Sequence, residues 1–162
     1  RALCFAHNGT LRSARSLPLD LHRPIGQTDS EHAFCWLVNE LRKRFPNPPS
    51  RPETFWRYVY RLARQLNSLG TFNMLLSDGR HLGAFCSTHL SWLTRRAPFG
   101  EARLVDADLT VDFSQVTTPN DVVTVVATRP LTVNEVWTTM APGSMVVFSQ
   151  GLPWLVFGDR LN

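Results

Sequence analysis

The stretch FNMLLSDGRHLGAFCS, residues 72–87, is where the chain changes periodicity. Before it, apolar residues recur at every third or fourth position; from Thr71 onward they fall in short runs separated by turn residues. FNMLLS and HLGAFCS flank Asp78-Gly79-Arg80, which reads as the turn of a β-hairpin because aspartate and glycine tolerate the backbone conformations of tight turns. SWLTR (91–95), LTVDF (109–113), DVVTVVAT (121–128), SMVVFS (144–149) and PWLVF (153–157) continue a strand-rich half.

Two helices precede this half. Thr28-Asp29-Ser30-Glu31 matches the S/T-x-x-E capping box, and Phe34, Leu37, Val38, Leu41 and Phe45 then repeat at helical spacing until Pro46, Pro48, Pro49 and Pro52 stop the helix. Ser50-Arg51-Pro52-Glu53 is a second such box. It opens a helix that buries Phe55, Tyr58, Val59, Leu62, Leu66 and Leu69, with Gly70 as its expected C-terminal stop. An apolar strand near residues 2–6 and an irregular stretch from about 11 to 27 come first. Two successive helices between one strand and a long run of strands predict an α+β layered fold, not alternating βαβ units. No repeat or composition break divides the chain, so residues 1–162 are read as a single domain.

With 162 residues, 43% of them hydrophobic and 19% charged, the chain is long enough to bury a substantial core. No run approaches the roughly 20 apolar residues of a membrane-spanning helix, and RALCFAHNGT lacks the order of a signal peptide, so the expectation is a soluble, cytoplasmic protein. Cys4, Cys35 and Cys86 form no C-x-x-C pair and are read as small buried hydrophobes. The scattered histidines have no zinc-binding spacing, and no metal is expected. The net charge of +4 is spread along the chain, and Arg42-Lys43-Arg44 falls where cations complement a helix C-terminus.

FAHNGT, residues 5–10, runs an apolar strand into Asn8-Gly9. Taken alone, Asn-Gly is a turn signal. Set beside TDSE about twenty residues later, however, HNG resembles the glutamine-site signature of class II (N-terminal nucleophile) glutamine amidotransferases. PIGQTDSEHAFCWLV, FNMLLSDGR, CSTHLSWLTRRAPFG and TTPNDVVTVVATRPLT are similar to the stand-alone, YafJ-type members of that family.

The resemblance implies part of a four-layer αββα N-terminal-nucleophile hydrolase sandwich. It implies hydrolysis of the side-chain amide of glutamine, or of a related γ-glutamyl amide, through a cysteine acyl-enzyme without a cofactor. The matching positions make Asn8 and Gly9 the oxyanion hole, the asparagine amide and the glycine N–H donating to the carbonyl oxygen as it becomes negative. They make Asp29 the partner of the substrate's α-amino group. His7 is expected to orient the loop, and Thr28 and Glu31 to cap the helix. The family's nucleophile is a cysteine at the mature amino terminus, whereas this chain begins with Arg1 and holds Cys4 inside a strand. The chain is therefore read as the carboxy-terminal portion of the enzyme, inactive alone, partnered by the missing amino-terminal segment and binding neither nucleic acid nor membrane. A non-catalytic binding or structural domain on the same fold is the alternative; a basic nucleic-acid binder is a more distant one.

Overall fold

The computed structural model describes residues 2–107, 110–112 and 118–158. Strand β1 (Cys4–Leu11) leads through a short 3-10 turn at Ala14–Ser16 to helices α1 (Asp29–Arg44) and α2 (Pro52–Asn67). Strands β2 (Gly70–Ser77), β3 (His81–Phe85), β4 (Ser91–Arg96), β5 (Glu101–Arg103), β6 (Thr110–Asp112), β7 (Val122–Ala127), β8 (Thr138–Thr139), β9 (Met145–Ser149) and β10 (Leu152–Phe157) follow. A five-stranded sheet has the order β1-β2-β3-β9-β10, a three-stranded sheet the order β7-β4-β8, and β5 pairs with β6. Every strand pairing among the described residues is antiparallel. This is the expected mixture of helix and sheet. Of LTVDF, Thr110–Asp112 forms β6, while Leu109 and Phe113 lie outside the described residues.

The period-2 alternation of the central strands separates two cores. Phe72, Met74, Leu76, Phe85, Met145 and Val147 face α1 and α2, joining Leu37, Leu41, Trp56, Val59 and Leu66. Ala84, Val146 and Phe148 point the other way and pack with Leu90, Met140, Trp92 and Val126 from the side of the three-stranded sheet. The described residues thus stack helices, a five-stranded sheet and a second sheet; a second helical layer is not among them. Gly83 makes room for the fully buried Trp56, since a Cβ there would lie 2.5 Å from the indole ring.

Several expectations are corrected. Asn8-Gly9 does not close a strand or form a turn. β1 runs through it to Leu11, and Asn8 and Gly9 stand opposite Asn73 and Phe72 of β2. Gly9 reaches this geometry at φ +154°, where a Cβ would meet the Thr71 carbonyl oxygen at 2.0 Å, so the glycine permits a close strand approach and not a reversal.

α2 has no side-chain cap: Arg51 holds the N-cap position, with Pro52 in the first turn. The helix ends at Asn67 with Ser68 as C-cap, and Gly70 begins β2 instead of stopping the helix. Its buried face includes Trp56 and Ala63, while Tyr58 and Leu69 are only partly buried. Of the cysteines only Cys86 is buried; Cys35 is half-buried, and Cys4 is exposed, at the start of β1 on the face turned away from the helices. The Asp78-Gly79-Arg80 turn forms as expected, with the Asp78 carboxylate accepting from the N–H groups of Arg80 (3.0 Å) and His81 (2.8 Å).

Candidate functional site

The start of α1 and the end of β1 are tied by side chains. The Thr28 hydroxyl accepts from the Glu31 N–H at 3.2 Å, as a capping box requires. Glu31 does not reach back to Thr28. Its carboxylate accepts from the N–H groups of Ile25 and Gly26, both at 2.8 Å, and so fixes the loop entering the helix. Asp29 Oδ2 accepts from the Leu11 N–H at 2.7 Å and Oδ1 from the Ser30 N–H at 2.9 Å. The Leu11 bond is the main reason the Asp29 carboxyl titrates below its ordinary value of 3.8, overcoming the opposing effect of burial; the Ser30 N–H and nearby His7 add to it. Two N–H groups leave lone pairs on this carboxylate for a further donor.

His7 braces the same corner. Its Nε2 lies 3.1 Å from the Thr71 carbonyl oxygen, which can only accept, so Nε2 carries the hydrogen; Nδ1 lies 2.8 Å from the Ser30 hydroxyl. Its ring packs on Phe72 at 4.9 Å between centroids. Both ring nitrogens are thus engaged in joining β1, β2 and α1.

The direction of the Gly9 N–H follows from its neighbours. The Asn8 carbonyl receives the Asn73 side-chain amide from the side of β2. Because a trans peptide places its C=O and N–H on opposite sides, the Gly9 N–H points away from β2, off the outermost strand of the sheet among the described residues. The ladder agrees: the Arg12 N–H donates to Leu69 on β2's side, while the Leu11 N–H faces outward to Asp29. Gly9 and Leu11 therefore share one edge of β1, about 7 Å apart along an extended strand.

Asn8 is exposed and borders a cavity of about 150 Å³ between the sheets, lined also by Ala6, Asn73, Leu75, Leu90 and Val126. A larger groove of about 540 Å³ lies between the far end of α1 and the proline-rich loop, among Leu3, Val38, Phe45, Pro46 and Phe55. It contains none of Asn8, Gly9 or Asp29; the smaller cavity matters here because polar groups converge on it.

The structure therefore gathers His7, Asn8, Gly9, Thr28 and Asp29 around the outer end of β1. It adds Ser30 and Asn73, which the sequence reading did not single out. Asn73 is detectable only as the polar residue interrupting the apolar strand FNMLLS. None of the three thiols joins them: Cys86 donates to the Met140 carbonyl, Cys35 is on α1, where burial and Glu31 push its thiol up, and Cys4 is four residues from Asn8 along β1. Among the described residues no three His, Cys, Asp or Glu side chains converge as a metal site requires, and no helix is long and apolar enough to cross a membrane. Of the basic runs, Arg95 is paired bidentately with Glu135 at 2.6 Å and Lys43 with Glu40 at 3.0 Å.

Comparison with known proteins places the chain. The chain is 53% identical over 147 residues to "Putative glutamine amidotransferase YafJ" of Escherichia coli K12, the match covering 91% of this chain and 58% of that protein. It is 42% identical over 147 residues to "Putative glutamine amidotransferase" of Haemophilus influenzae, covering 91% of this chain and 50% of the relative. A 2.0 Å crystal structure of a "predicted glutamine amidotransferase" from Pseudomonas aeruginosa superposes with a TM-score of 0.82 at 47% identity, over 94% of this chain and 60% of that one. The chain thus spans half to three fifths of the length of these relatives. Residues 1–160 match the family of class-II glutamine amidotransferases, and the chain belongs to it.

Proposed function

We propose that the protein carrying this chain hydrolyses the side-chain amide of glutamine, or of a related γ-glutamyl amide, at the outer end of β1. The observation that carries this reading is that the Gly9 N–H and the Asp29 carboxylate lie along the same edge of β1, with Asp29 taking the next outward N–H, that of Leu11. Ordinary bond lengths put the α-nitrogen of an extended glutamine about 5 Å from its side-chain amide carbon. With a hydrogen bond at each end, the molecule fits between an oxyanion donor at Gly9 and an ammonium acceptor at Asp29.

In this mechanism a cysteine thiol gives its proton to a base as its sulfur attacks the amide carbon, and the Asn8 side-chain amide and Gly9 N–H stabilise the oxyanion. The proton passes to the departing nitrogen so that ammonia leaves, and water hydrolyses the acyl-enzyme to glutamate. Placing Asn8 and Gly9 on a paired strand, with Gly9 pressed against Thr71, holds the Gly9 donor before substrate arrives and projects the Asn8 amide from the neighbouring position. Preorganisation of that kind makes an oxyanion hole effective. The nucleophile comes from a segment outside these residues, because Cys4 sits about 13 Å from Asn8 along the strand, Cys35 is half-buried on α1, and Cys86 is buried and donates to the Met140 carbonyl. The same segment, with a second helical layer, completes the four-layer αββα sandwich. The chain by itself is expected to turn over no glutamine.

The test is Asn8→Ala in the full-length protein. kcat for glutamine should fall roughly 100-fold or more with little change in KM. An unchanged kcat would leave Asn8-Gly9 a structural pair only.

A further inference from the structure

Asn73 is a polar side chain in a strand whose neighbours form the two cores, and it is only 6% exposed. Burying an amide there is costly unless its hydrogen-bonding groups are satisfied. Here Oδ1 accepts from the N–H groups of Ser87 (2.9 Å) and Thr88 (3.1 Å), and Nδ2 donates to the Thr88 hydroxyl (3.0 Å) and to the Asn8 carbonyl (3.3 Å). The two backbone donors fix which end of the amide is oxygen, which leaves the nitrogen facing Asn8. Three shorter bonds thus hold the group that makes the longer fourth.

That fourth bond falls on the peptide that supplies the proposed oxyanion donor. The Asn8 C=O and the Gly9 N–H are opposite ends of one rigid plane. With Asn8 already opposite Asn73 in the β1–β2 ladder, a side-chain donor on the same carbonyl further restricts rotation of that plane and so sharpens where the N–H points. It also draws electron density toward the carbonyl oxygen, which strengthens the N–H as a donor. We propose that Asn73 is a positioning residue for the oxyanion hole, clamping and polarising the Asn8–Gly9 peptide from the loop at Ser87-Thr88. The proposal rests on the reading of Gly9 as an oxyanion donor, and it adds a residue that acts through the Asn8–Gly9 peptide.

Asn73→Asp separates this role from simple support of the loop. The carboxylate keeps both acceptor contacts to Ser87 and Thr88 and replaces the donor facing Asn8 with an acceptor. In the full-length protein kcat for glutamine should fall roughly ten- to a hundredfold, the lower part of the range for losing an oxyanion donor, with KM changed less than about threefold. Asn73→Ser, which is too short to link both segments, should show the same split if burial of a carboxylate unfolds the first variant. The second readout needs no turnover: in both variants the Gly9 amide proton should move upfield by NMR, because the carbonyl on its own peptide has lost a hydrogen bond. A kcat that stays at the wild-type level, or an unmoved Gly9 resonance, overturns the proposal. A moved resonance in a protein that hydrolyses no γ-glutamyl amide would keep the clamp and reject the oxyanion reading beneath it.

Discussion

At the start of α1 every one of the four residues Thr28-Asp29-Ser30-Glu31 makes a side-chain hydrogen bond, and three of these reach outside the helix's first turn: to Leu11, to His7, and to Ile25 and Gly26. At the start of α2, Ser50-Arg51-Pro52-Glu53 has the same spacing of residue types, yet no side chain caps the helix. α2 is held instead by an apolar face of Phe55, Trp56, Val59, Leu62, Ala63 and Leu66. The contrast separates two jobs. Apolar burial fixes where α2 lies but is non-directional, so it places no polar group to a fraction of an ångström. The directional bonds at α1 align Asp29 with the edge of β1, where the proposed substrate site needs accuracy.

The largest expected effect breaks the apolar anchor. Trp56 is fully buried against Gly83, so Trp56→Ala should cost about 3–5 kcal/mol of stability, read by chemical denaturation. Paired truncations at the two helix starts come next. Thr28→Ala should cost about 1 kcal/mol, the usual value of an N-cap, while Ser50→Ala should stay within about 0.5 kcal/mol. Equal losses at both would erase the difference between the two starts.

The smallest effect is the pH dependence carried by Asp29. Its folded-state pKa lies below 3.8, so its contribution to stability is complete above that value and is lost as pH falls through the lowered folded value. The melting-temperature gap between wild type and Asp29→Asn should be flat from pH 7 to about 5 and shrink below pH 4. A gap that grows with acid would contradict the Leu11 contact.

How much of this was legible depends on range. The S/T-x-x-E text located α1 well because Thr28 caps through a local bond, and the Asp78-Gly79-Arg80 hairpin was readable for the same reason. The identical text at Ser50 misled, since Pro52 and tertiary burial of Trp56 set that helix instead. Asn8-Gly9 resisted the local reading because its partner, β2, begins about sixty residues later; the chain there is extended only because Gly9 tolerates the approach of Thr71. Asn73 stayed hidden because its partners, Asn8, Ser87 and Thr88, come from segments that only the folded sheet brings together. Family resemblance pointed to Asn8, Gly9 and Asp29, with His7 and Thr28 beside them, but not to Ser30 or Asn73.

The central claim, that the Asp29 carboxylate on the edge of β1 binds the α-ammonium of glutamine, is tested most directly by a cycle between residue and substrate. In the full-length protein, KM is measured for glutamine and for a γ-amide analogue lacking the α-amino group, in wild type and in Asp29→Asn. The account predicts that the substitution raises KM for glutamine about 30-fold more than for the analogue, a coupling of about 2 kcal/mol, with a small change in melting temperature. Equal losses for both substrates would contradict it and leave Asp29 as a residue that only joins α1 to β1.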